Sequence, residues 1–102
     1  MTARADYITE DDITVGDEWG EIFSLDRIDD LSVKVAGNPV DVRFSPILES
    51  GGYHWRKGSK LFAGGWNDIT DGAAKGFGHF QFRNTAAGSP GVVSIRAYCH
   101  GG

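Results

Sequence analysis

The chain has 102 residues, 40% of them apolar and 12% aromatic, with a formal charge of −4. That is the length of one domain and the composition of a folded globule, which excludes a multidomain or globally disordered chain. No apolar run approaches the ~20 residues of a membrane-spanning helix, and the opening MTARADYITEDD holds no apolar stretch of the kind a secretory leader needs. A single cysteine, Cys99, leaves no intrachain disulfide, so packing, strand pairing or association must hold the domain. Folding in a reducing cytoplasm is expected.

The charge is divided unevenly. Residues 1–30 hold ten acids against Arg4 and Arg27, whereas residues 31–102 hold four acids and eight bases. One reading is a solvated acidic face. The sharper one is an acidic arm over residues 1–17, with Asp11 and Asp12 as contact residues, that pairs with a basic surface on a neighbouring chain. An acidic segment argues against nucleic acid as the main partner, because it repels phosphates.

In chain order, residues 9–13 allow at most one helical turn, and Glu21 to Leu25 reads as a strand with Phe23 and Leu25 inward. Leu31, Val33 and Val35 alternate with polar neighbours; after Gly37-Asn38-Pro39 the same period continues through Val40, Val42 and Phe44. This spacing predicts a β-hairpin with one apolar face. Residues 51–58 read as a turn, and 60–69 as one strand bent at Gly64-Gly65 that sends Phe62 inward. Phe80 and Phe82, then Val93, Ile95 and Ala97, flank a turn-forming stretch at 84–91 and predict a second hairpin. About six to eight short strands at this spacing point to an all-β domain, an antiparallel sandwich or small barrel. The expected fold is a small antiparallel β-sandwich, jelly-roll or Ig-like, spanning residues 18–102 behind the extended acidic arm.

Candidate sites are few. His54, His79, His100 and Cys99 show no metal-ligand spacing. No nucleophile elbow, phosphate loop or dinucleotide fingerprint is present, and adjacent pairs such as Asp29-Asp30 point to opposite faces of a strand. The expectation is a chain that is not an enzyme, with no cofactor. The stretch GGYHWRKGSKLFAGGWND at 51–68 interleaves Tyr53, Trp55, Phe62 and Trp66 with Arg56, Lys57 and Lys60. It supplies core-filling aromatics, a protein-contact surface, a sugar platform of Tyr53, Trp55 and Trp66, or stacking groups for bases. Trp19 either packs under the first strand or anchors the acidic segment to a partner. The residues singled out for partner binding are Asp11, Asp12, Trp19, Tyr53, Trp55, Arg56 and Lys57.

Phe23-Ser24-Leu25-Asp26-Arg27 leading into Leu31–Val35, the Pro39–Ser45 strand, the aromatic Gly-rich turn and the late Phe80–Asn84 strand form an ordered series. Over residues 18–98 this pattern resembles the small β-sandwich virion proteins of tailed bacteriophages: capsid decoration (cement) proteins, head fibres and tail-fibre modules. The resemblance implies a non-enzymatic structural protein of the virion, folded in the host cytoplasm. It would bind the major capsid protein or other virion subunits, as a homo-oligomer, without nucleic acid or membrane. A tail-fibre or other carbohydrate- or receptor-binding module is the alternative it implies.

Overall fold

The computed structural model describes residues 7–69, 76–85, 88 and 90–99. Among these are eight strands: β1 (Tyr7–Val15), β2 (Phe23–Ser24), β3 (Asp30–Gly37), β4 (Val40–Ser45), β5 (Arg56–Leu61), β6 (Gly65–Asp68), β7 (His79–Asn84) and β8 (Gly91–Tyr98). They form two four-stranded sheets, ordered β1-β8-β3-β6 and β2-β7-β4-β5, with every pairing antiparallel. The domain is an all-β sandwich. Of its connections only β4–β5 stays within one sheet. This is the connectivity of a jelly roll and not the hairpin-rich order of an immunoglobulin domain.

The period-two alternation does what it should. Leu31, Val33 and Val35 of β3 face Val93, Ile95 and Ala97 of β8 on one inner surface, and Val40, Val42 and Phe44 of β4 join Phe80 and Phe82 of β7 on the other. Phe23 and Leu25 are buried as expected. Phe80 is the aromatic centre: Phe23 stacks on it at 5.4 Å, Phe82 meets it edge-on at 5.7 Å and Phe44 tilts against it at 6.4 Å. Each such fully buried side chain contributes about 1.5–3 kcal/mol of hydrophobic stabilisation.

Both expected hairpins are instead crossovers between the sheets. β3 pairs with β8 and β4 pairs with β7, so Gly37-Asn38-Pro39 carries the chain from one layer to the other. The stretch lacks the Asn-Gly type signature of a two-residue hairpin, and Gly37 takes a left-handed φ of 76°. The arch turns the two apolar faces toward one another. The β7–β8 connection behaves likewise and is braced by buried Asn84, which accepts a hydrogen bond from the Gly91 amide (2.9 Å) and donates one to Asp17 (3.0 Å). The proposed bent strand at 60–69 is two strands in different sheets, with Gly64 at φ 115° in the crossover. Phe62 sits at that corner and is exposed, not inward.

The acidic segment is also corrected over most of its length. Residues 1–6 lie outside the described residues, but Tyr7–Val15 is no free arm: it is the edge strand β1, paired along β8. Ile8, Ile13 and Val15 supply enough apolar surface to pack on the core. A β-bulge between Glu10 and Ile13 puts Asp12 at φ 56°, a conformation Asp tolerates better than most residues. There is no helical turn at 9–13.

A Cβ at Gly58 would land inside the shell of the Val42 carbonyl oxygen in the β4–β5 pair. Gly58→Ala should therefore cost at least about 2 kcal/mol, read as a fall in Tm of roughly 10 °C. At Gly65 a Cβ meets nothing within 4 Å, and Gly65→Ala should melt within about 0.5 kcal/mol of the parent.

Candidate functional site

The polar face of the β2-β7-β4-β5 sheet looks outward, carrying Asp41 and Arg43 on β4, Gln81 and Arg83 on β7, and Lys60 opposite Asp41 on β5. Two flanking segments lay indoles over it. Residues 16–20 run along β7: Asn84 donates its amide to the Gly16 carbonyl, Gly20 donates to Phe82, and the Gln81 side chain donates to the Gly20 carbonyl at 2.9 Å. These bonds hold Trp19 in place. On the other side the β4–β5 loop is fastened by buried Ser45, whose hydroxyl accepts from the His54 amide at 2.8 Å and donates to the Pro46 carbonyl. That anchor brings Tyr53 and Trp55 back over the sheet, and Tyr53 also packs edge-on against His79 at 4.9 Å.

The result is a five-layer stack. The Arg83 guanidinium lies 4.5 Å from the Trp19 ring, Arg43 lies 4.3 Å from the same ring, Arg43 also lies 4.5 Å from Trp55, and Tyr53 stacks on Trp55 at 5.3 Å with 12° between planes. Each cation–ring contact contributes about 0.5–2 kcal/mol depending on how far water is excluded. Arg43 is the central rung. Its Nε donates to Gln81 Oε1 at 2.7 Å, so the side chain is held from two loops and a neighbouring strand. Burial pushes its guanidinium below the ordinary arginine value, and the like charge of Arg83 pushes the same way.

Beside the stack opens a half-enclosed groove of about 550 Å³. Arg43, Arg56, Lys60 and Arg83 line it against the single carboxylate of Asp41. Asp41 is already engaged, 3.6 Å from Arg83 Nε and accepting from the Thr85 hydroxyl at 3.0 Å. The groove is therefore a concentrated positive field on a chain that is acidic overall. A guanidinium presents its N–H donors as a planar fork that matches carboxylate, sulfate or phosphate oxygens. The Trp19 ring is in contact with both arginines, and the Trp55 ring with Arg43 and Tyr53. The arrangement concentrates cationic N–H donors suited to an anion.

Of the residues singled out from sequence, Trp19, Tyr53, Trp55 and Arg56 converge here. The Lys57 side chain and His100 lie outside the described residues. Asp11 and Asp12 sit on the β1 bulge, away from this stack, with Asp11 bound to Arg96 at 2.9 Å. Trp66 is on the other sheet, its ring 5.5 Å from Arg96, so Tyr53, Trp55 and Trp66 do not form a common platform. Sequence reading missed Arg43, Arg83 and Gln81. Their signal was the basic and amide residues on the polar face of the two central strands, whose meaning depends on which strands lie side by side. The closest hydroxyl–imidazole approach, Ser24 Oγ to His79 Nδ1 at 2.7 Å, involves a buried histidine and braces β2 against β7.

No family model, curated protein or solved structure matches the chain.

Arg43→Ala should cost about 1–3 kcal/mol in urea unfolding, because it empties the central rung and strands the Gln81 oxygen. It should also change the near-ultraviolet circular dichroism of the paired indoles. Arg43→Lys should recover only part of both, since an ammonium cannot stack between two rings as a plane does.

Proposed function

We propose that this chain is a non-enzymatic structural protein that locks into a larger assembly by receiving a carboxylate-rich segment of a neighbouring subunit in the cationic groove. The assembly that its sequence pattern favours is the virion of a tailed bacteriophage, where it would act as a capsid decoration protein on the major capsid protein. The observation that carries the docking reading is the arrangement of Arg43, Arg56, Lys60 and Arg83 around a groove whose one carboxylate is already paired. Two features support it. The guanidinium planes are preorganised by the indoles, so little ordering entropy remains to oppose binding. The like charges of Arg43 and Arg83 repel, and an incoming anion between them would offset that repulsion.

Trp19 and Trp55 make the groove self-reporting. Titration with a short oligoglutamate peptide should change their fluorescence saturably, and an equally long oligoglutamine should not. Binding should weaken steeply between low salt and about 1 M salt, where the screening length shrinks to about 3 Å. Arg56→Ala with Lys60→Ala should lower affinity by at least about tenfold, roughly 1.4 kcal/mol, with the fold unchanged. A peptide response that ignores both salt and these substitutions would sink the docking reading.

A further inference from the structure

The β1 bulge carries a run of three acids. Glu10, Asp11 and Asp12 are consecutive and exposed, on a strand edge with no neighbour beyond it. The extra residue of the bulge breaks the alternation that would otherwise send successive side chains to opposite faces. Asp11 is tied to Arg96, and Arg96 also donates to the Glu10 carbonyl at 3.3 Å, which fastens the bulge. The Glu10 and Asp12 carboxylates have no cationic partner among the described residues, and neither Arg56 nor Lys60 has an acidic one. Unmatched charges of opposite sign are thus held at two separate places on one chain.

Those places lie on opposite flanks. β1 stands over β2, where Ile13 and Val15 line a small slot together with Phe23 and Phe82. The short corner at 62–64 joins β5 to β6 at the far side. A bulge on one flank and a groove toward the other favour a contact between different copies. We infer that the groove takes the Glu10-Asp11-Asp12 bulge of a second copy of this chain, giving head-to-tail association. Such a contact grows into a ring if the rotation closes and into a filament if it does not. This rests on the docking reading above and names its occupant. It also gives a role to an exposed edge strand, which acidic side chains and a bulge otherwise only protect from indiscriminate pairing.

Sedimentation velocity on the full chain tests it. The parent should associate in low salt and sediment as monomer in about 1 M salt. The groove variant Arg56→Glu/Lys60→Glu and the knob variant Glu10→Lys/Asp12→Asn should each be monomeric in low salt, with circular dichroism confirming the fold. Asn is used at position 12 because it tolerates the left-handed backbone there; the milder Glu10→Gln/Asp12→Asn should weaken association without abolishing it. An equimolar mixture of the groove and knob variants should associate again, since reversed charges are complementary across copies. A monomeric parent in low salt overturns the inference. If that monomer still binds oligoglutamate through Arg56 and Lys60, docking stands and the occupant is another protein. If it binds a single-stranded oligonucleotide instead, both the second-copy and the acidic-peptide assignments are overturned.

Discussion

The apolar inner faces of the two sheets have only each other to cover them, and most of the structure follows from that constraint. Among the described residues no helix lies over a sheet, and successive strands, β4–β5 excepted, are dealt alternately to the two layers. β3 and β4 share an arch across the core, not a ladder, and so do β7 and β8. Buried Asn84 is the polar cost of one such arch, and it is met in full: both ends of its amide are bonded. Phe80, touched by Phe23, Phe44 and Phe82, joins β2, β4 and β7 into one packing unit.

With the apolar side chains turned inward, the same strands must turn their polar ones outward, and adjacency in the sheet decides what those become. Arg43 and Arg83 are 40 residues apart in the chain but on neighbouring strands, two residues out of register. Two cations so placed repel. Both lie against the Trp19 ring and Arg43 also against Trp55, and the ring quadrupoles offset part of that repulsion. The loops that deliver the indoles are held by backbone bonds to β7 and by the Ser45 hydroxyl, so the groove is built from the rigid part of the fold outward.

The other sheet solves a different problem. Its edge strand β1 is long and would offer a row of free amides and carbonyls to any passing strand. Three consecutive acids and a bulge interrupt that row. The device that discourages β-pairing also concentrates negative charge at that edge.

Period-two alternation sufficed to determine the all-β class and the identity of most core residues, because both depend only on neighbours along the chain. It did not distinguish a hairpin from an arch at Gly37-Asn38-Pro39, since either buries the same alternate positions. It read Phe62 and Trp66 as parts of one bent strand, when Gly64 carries the chain to the other sheet. Trp19, Tyr53, Trp55 and Arg56 were visible as contact residues, yet the rungs that organise them, Arg43 and Arg83, were not. An arginine on the outer face of a strand is ordinary until its cross-strand neighbour is known. What the sequence by itself determined was which side of most strands meets water; only the tertiary structure decided which strands lie side by side, and with them whether outward charges are scattered or gathered into a site.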